Sequence, residues 1–379
     1  MRICFLADAR SPIARAWIGY FAGREHEVHV LSTFPVAWDC IPGARVHSLI
    51  EASPASPKSL RATGWSADLY DGFAQPLKAW LLSWRARRLL EQIRPVVLHS
   101  LRLPIEGYIG GSLDFHPHVI SAWGNDFTLY ADRFRLHGRA AARAIAGCDG
   151  FLADAQADID RAAGYGLTPE IPRAVLPGAG GVDRAVFRPG AAKERALFVN
   201  PRGFRRYVRN DTFFEACRMV ADRHPEARFV GVAMEGWRPI EDAVRRLELG
   251  DVTTLTGPLS RAEMAALYQR AAVTVSPTEH DGTPNTLLEA MASGCLPVCG
   301  DLPSLREWIS PGENGLLCDA GSAVSLATAM LRAIEDGPLQ ARAAEQNPRL
   351  IAERADYADS MWQAEEFYCL LYTSPSPRD

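Results

Sequence analysis

The stretch that most constrains this chain runs from Ala271 to Val298, AAVTVSPTEHDGTPNTLLEAMASGCLPV. Val273 to Val275 is a β-branched apolar run, which reads as a buried strand. The loop SPTEHDGTPN follows. Leu287, Leu288, Met291 and Ala292 then mark the apolar stripe of a helix, and Gly294 stops it. Leu296 to Cys299 is a second strand. Strand, loop, helix and strand make one parallel crossover unit, and such sheets bind ligands outside the carboxyl ends of their strands. Here that end is the loop finishing at Asn285.

Two carboxylates frame this loop. Asp281 lies before the helix and Glu289 about one turn inside it. A helix N-terminus offers free N–H groups and a positive dipole end, which suits a phosphate. Glu289 would repel a phosphate, but it can accept hydrogen bonds from neutral hydroxyls such as those of a ribose. The competing local reading is a capping box from Thr286 to Glu289, with Asp281 as a turn residue.

Asp281-Gly282 through Glu289-Ala-Met-Ala-x-Gly, with Pro297-Val298, resembles the acid-x7-acid signature of family 4 glycosyltransferases. The resemblance implies a retaining enzyme of GT-B fold that uses an activated sugar donor. It assigns the donor sugar to Asp281 and the ribose hydroxyls to Glu289. Gly282, Thr283, Asn285, Thr286 and Leu287 become further donor contacts. Two departures stand out: Asp281 replaces the usual Glu, and Pro284 stands where the family has a Gly, removing an N–H.

A length of 379 residues with 47 % hydrophobic content suggests two domains. The 41 basic and 45 acidic residues give a net charge of −4, so no global field favours nucleic acid. Eight cysteines without a CxxC pair, several in strand-like runs, fit a reduced, cytoplasmic protein. No apolar run approaches the ~20 residues needed to cross a bilayer.

In the first half, Ile3–Ala7, Glu27–Ser32, Val96–His99, Val119–Trp123 and Phe151–Ala153 read as strands, and Ile13–Phe21 as a helix. No G-x-G-x-x-G follows the first strand, which disfavours a dinucleotide dehydrogenase. Residues 51–72 read as a loop. Leu77–Arg94 is a strong helix whose Trp80, Leu81, Trp84 and Leu89 lie beside Lys78, Arg85, Arg87, Arg88 and Arg94. It reads either as a contact with an anionic membrane surface or as a core-packing helix with a solvated basic face. His99 could face a ligand at its strand's end, though a lone His is more often structural. Trp123-Gly124-Asn125-Asp126 resembles the family's His-Gly-x-Asp, which puts Asp126 at the sugar or acceptor; a plain turn Asp is the alternative. Asp158 and Asp160 lie on a helix, where they point apart, so no metal-binding D-x-D is read there.

Gly181-Val182-Asp183 and Phe187-Arg188-Pro189 resemble the family's interdomain linker. Ala196–Asn200 opens the second sheet, followed by Arg202, Arg205, Arg206 and Arg209. Guanidinium forks match phosphate oxygens, so this cluster reads as a diphosphate clamp. The resemblance makes Arg202 catalytic and Arg206 and Arg209 donor-binding; a solvated basic loop is the alternative. The turn at Gly257 is implied to lie near the nucleotide base.

The expectation is therefore an α/β chain of two Rossmann-like domains facing across a cleft. Residues 1–183 take the acceptor and 184–352 the nucleotide-sugar donor. A helix at about 353–371 crosses back to the first domain, and 372–379 is a disordered or artefactual tail. The expected activity is metal-independent, retaining transfer of a sugar to a glycan, lipid-linked or small-molecule acceptor. Catalysis falls to Asp126, Arg202 and Asp281, with no cofactor, no nucleic-acid partner, and peripheral membrane contact through 77–94 on the inner face. The alternatives are a GT-B epimerase or phosphorylase, or a non-catalytic nucleotide- or sugar-binding module.

Overall fold

The structure, a computed structural model, describes residues 1–50, 74–205 and 207–373. Arg206 and most of the 51–72 and 372–379 expectations lie outside them. The chain forms two compact units, one of Met1–Gly180 with the segment from Asp359 onward, the other of Gly181–Ala358.

The first unit holds a seven-stranded sheet: β1 (Arg2–Ala7), β2 (Glu27–Ser32), β3 (Ala44–Ser48), β4 (Val97–Leu101), β5 (His118–Ala122), β6 (Gly150–Ala153) and β7 (Arg173–Val175). Their order is β3-β2-β1-β4-β5-β6-β7, and the paired strands run parallel. Parallel sheets are covered on both faces, so their strands are apolar throughout rather than alternating. β1 and β4 obey this, with Ile3 to Ala7 and Val97 to Leu101 buried.

The second unit repeats the plan with β8 (Glu194–Asn200), β9 (Arg228–Gly231), β10 (Thr253–Leu255), β11 (Ala271–Ser276), β12 (Leu296–Gly300) and β13 (Leu316–Cys318). The order is β10-β9-β8-β11-β12-β13, all parallel. Phe198, Phe213, Val273, Val298 and Met330 belong to one side of its core, and Leu288, Met291 and Ile351 to the other. Each order reverses once, between β1 and β4 and between β8 and β11. Those are the switch points where doubly wound sheets open a crevice.

Two helices occupy the region expected to hold one. Gly337–Arg354 ends before Ala355, and Tyr357–Thr373 begins after Asp356, whose carboxylate accepts from the Ala358 N–H at 2.9 Å. The second helix runs through Thr373, into the stretch expected to be a tail. It packs on the first unit: Tyr368 stacks on Phe21, and its hydroxyl accepts from Trp17 Nε1 at 3.1 Å. That hydroxyl also bonds His99 Nδ1 at 2.5 Å, while His99 Nε2 meets Ser121 at 2.8 Å. His99 is thus a fully buried core histidine, and the ligand-facing alternative falls.

The Gln75–Ile93 helix buries Ala79, Leu82, Ala86, Leu90 and Ile93. Of the apolar set read in the sequence, Trp80, Leu81 and Trp84 are 71 %, 59 % and 59 % exposed. The helical phase explains this: a stripe of small and aliphatic residues faces the core of the first unit, and the tryptophans ride on the other side. Asp158 is buried and Asp160 exposed, pointing apart as their spacing demands.

Candidate functional site at the second switch point

β8 and β11 are neighbours, so the loops leaving their carboxyl ends meet. The first loop begins Pro201-Arg202-Gly203, and Gly203 has φ +65, a conformation that suits glycine. Its path is pinned by buried amides: the Arg202 N–H donates to Asn200 Oδ1 at 3.1 Å, and Asn210 Nδ2 donates to the Gly203 carbonyl at 3.1 Å. The Arg202 guanidinium then reaches across to β11's loop. It donates to Asp281 Oδ2 at 2.5 Å and to Thr286 Oγ1 at 3.4 Å. Among the described residues its Nε is buried without a hydrogen-bond partner, as are Ser276 Oγ at the end of β11 and Asn285 Oδ1. Unsatisfied buried polar atoms are rare and costly, and three around one loop mark a place for a polar ligand.

Asp281 is held from behind. Ser304 Oγ donates to its carbonyl at 2.8 Å, and Thr278 Oγ1 lies 3.4 Å from its carboxylate. Burial pushes its carboxyl above the ordinary Asp range, against the pull of Arg202 and Arg205.

The Asn285–Ala292 helix has Pro284 at its N-cap and no side-chain cap. The Thr286–Glu289 capping box is therefore absent, and Thr286 serves Arg202 instead. Glu289 is left as a half-buried carboxylate with no hydrogen-bond partner among the described residues. Burial pushes it up to about 7, offset only in part by Arg261. Such a group gains from any neutral hydroxyl that donates to it.

Several expected site residues are committed elsewhere. Arg209 pairs with Glu279 and Asp211, both at 2.8 Å, so its guanidinium is already neutralised. The cation acting on Asp281 from beyond Arg202 is Arg205, whose guanidinium bonds only the Tyr207 hydroxyl among the described residues. Thr283 Oγ1 accepts from Trp308 Nε1 at 2.9 Å. Leu287 is buried, and its N–H donates to the Pro284 carbonyl at 2.9 Å. Gly282 is buried in the same turn. Gly257 follows β10 and accepts through its carbonyl from the Ala233 N–H at 3.3 Å. Asp126 lies in the first unit, wholly buried. It accepts from Arg102 Nε at 2.7 Å and from the Leu103 and Trp123 N–H groups, each at 3.1 Å. Its carboxylate therefore fixes the Trp123-Gly124 turn and touches no open surface.

The family model for Glycosyl transferases group 1 matches residues 182–350, and that for Glycosyl transferase 4-like matches residues 2–154. The chain belongs to the group 1, family 4-like glycosyltransferases. A GDP-mannose-dependent alpha-mannosyltransferase of Mycolicibacterium smegmatis is 34 % identical over 107 residues, covering 27 % of this chain and 28 % of that protein. The curated relatives are matched over 24–41 % of their own length. Sucrose-phosphate synthase from Thermosynechococcus elongatus superimposes with a TM-score of 0.78 at 17 % identity, over 99 % of this chain and 100 % of the other. HepE from Anabaena, solved with UDP and glucose, gives 0.73 at 16 %, over 98 % and 100 %. These likenesses place this family member in the GT-B fold.

Proposed function

We propose that the protein transfers a sugar from a nucleotide-sugar donor, held by the second unit, to an acceptor taken by the first, with retention at the anomeric carbon. One observation carries the reading: an unpartnered, partly buried Glu289 stands one helical turn behind the Arg202–Asp281 pair at the second switch point. That arrangement offers a cation for a diphosphate and two carboxylates for hydroxyls within one crevice. The relatives support it, because the mannosyltransferase is named for a nucleotide-sugar donor and HepE was solved with UDP.

When the bond from the anomeric carbon to the diphosphate breaks, negative charge grows on the departing oxygens. Arg202, with its unspent Nε, meets that charge, aided by Arg205 and the N–H groups at Asn285 and Thr286. Asp281 holds hydroxyls of the donor sugar, and Glu289 those of the ribose. Asp126 acts as a positioning residue for the Trp123-Gly124 turn. Arg209 braces the loop through Glu279. The charge is met by guanidinium groups and N–H dipoles, so transfer proceeds without a metal.

Nucleoside diphosphates and nucleotide sugars are screened for thermal stabilisation of the full chain, which identifies the donor. Transfer is then followed with candidate acceptors, and the anomeric configuration of the product is read by NMR. Retention in the presence of excess chelator is expected. An inverted product, or transfer restored only by Mg²⁺ or Mn²⁺, would refute the corresponding part.

The exposed face of the Gln75–Ile93 helix supports peripheral contact with an anionic membrane. Leu77, Trp80, Leu81 and Trp84 are exposed together, and Arg88 lies over the Trp84 ring at 3.7 Å. Apolar aromatics flanked by cations suit a headgroup boundary. Among the described residues, no helix is long and apolar enough to cross a membrane.

A further inference from the structure

The first sheet has its own switch point between β1 and β4, and a polar cluster lies there. Asp8 and Arg10 follow β1, Thr33 and Phe34 follow β2, and Glu106 follows β4. Lys78 joins them from the Gln75–Ile93 helix. The backbone leaving β4 is strained: Arg102 has φ 141 and Ile105 has φ 67, both uncommon for side-chain-bearing residues. That strain accompanies the inward turn of Glu106, which is buried and accepts from Thr33 Oγ1 at 2.5 Å.

The charges do not cancel evenly. Arg10 grips Asp8 with two hydrogen bonds, at 2.9 and 3.0 Å, and Arg102 is spent on Asp126. Lys78 is left over. Its ammonium lies 3.6 Å from the centroid of the Phe34 ring, which the Arg10 guanidinium also approaches to 3.6 Å. No carboxylate lies within ion-pair distance of Lys78 among the described residues, and burial holds its pKa below the usual lysine value. Glu106 only weakly opposes an arriving anion, since burial pushes its carboxyl up to about 7. A desolvated cation beside a ring gains most from a charged hydrogen-bond acceptor.

We propose that Lys78, with Arg10, binds an anionic group of the acceptor, a phosphate or carboxylate, at the carboxyl end of the first sheet. This inference rests on the glycosyl-transfer reading, because it names the class of acceptor.

Inorganic phosphate and glycerol phosphate are titrated calorimetrically into the full chain, into Lys78→Met, and into the neutral pair variant Arg202→Met with Asp281→Asn. Lys78→Met keeps the side-chain length over Phe34 and should weaken binding about tenfold or more, the scale of a hydrogen bond to a charged group. Lys78→Arg should restore it. The Arg202/Asp281 variant should retain the Lys78-dependent binding. Phosphate and glycerol phosphate binding unchanged in Lys78→Met, or absent with no Lys78-dependent vesicle binding either, overturns the inference. Nucleoside diphosphate binding that persists in the same variant shows that the donor reading stands apart. Phosphatidylglycerol vesicles separate the sources. Lys78-dependent binding of glycerol phosphate identifies a soluble anionic acceptor, and Lys78-dependent binding of vesicles alone identifies a lipid headgroup. Vesicle binding that ignores Lys78 and follows only Trp80 and Trp84 overturns the inference.

Discussion

Arg202 and Asp281 leave the carboxyl ends of adjacent parallel strands and meet in a 2.5 Å ion pair, each side chain 10 % exposed. Neither partner can be changed alone without leaving the other buried and uncompensated.

Arg202→Met alone should therefore cost about 3–5 kcal/mol of stability, the penalty for breaking a buried pair. Adding Asp281→Asn should recover much of it, because the unpaired charge is gone. Urea denaturation of both single variants and the double variant gives the coupling. Additive losses would mean the two side chains do not interact. Nucleoside diphosphate affinity should stay low in the double variant, since the counter-charge is missing.

Glu289 makes a prediction with opposite signs for stability and binding. Burial raises its folded-state pKa from 4.5 to about 7. An acid with a raised folded pKa holds its proton more tightly when folded. Stability from this group is then full below about pH 4.5 and falls as the pH rises toward 7. Glu289→Gln should equal the parent at pH 4 and exceed it by up to about 3 kcal/mol at pH 8. The same change should weaken nucleoside diphosphate binding roughly 10- to 150-fold, the loss of a hydrogen bond to a charged group. Denaturation at both pH values and calorimetric titration test it. Unchanged affinity would remove the ribose assignment.

Gly181 has φ +98, and a Cβ there would sit 2.5 Å from the Ala355 carbonyl oxygen. The neighbouring Val182 N–H donates to that same oxygen at 2.7 Å, so the strand path cannot retreat without losing the bond. Gly181→Ala should cost about 1–3 kcal/mol. A loss below a few tenths in urea denaturation would contradict this packing.

Trp80→Ser with Trp84→Ser touches exposed side chains, so stability should change by less than about 0.5 kcal/mol. Co-sedimentation with anionic vesicles should fall, and parent binding should weaken with salt. Equal sedimentation of parent and variant at low salt would end the membrane proposal.

The 271–298 stretch was readable because its strands are buried on both faces and its helix carries a regular apolar stripe. Those patterns follow from local geometry and need no partner. The strand β3 escaped notice because it lies at the sheet edge, where ARVHS is half exposed and weakly patterned. Arg135–Ala146 and Gly337–Arg354 escaped because alanines mark much of the buried stripe of one, and prolines interrupt the other. The acidic pair Asp281 and Glu289 was visible as a spacing, and so was the arginine cluster after β8. Which arginine reaches Asp281 was not visible, since strand order decides it: β8 lies beside β11, seventy residues away in the chain. The same holds for Asp126, whose partner Arg102 arrives from the loop after β4, and for Lys78, which meets Phe34 only after folding. Sequence alone determined the elements, the repeated α/β plan and the residue types at the crevice, because propensity and periodicity act over a few residues. Tertiary structure alone decided which charges pair and which stay unspent, because Coulomb and desolvation energies depend on neighbours that sequence distance does not reveal.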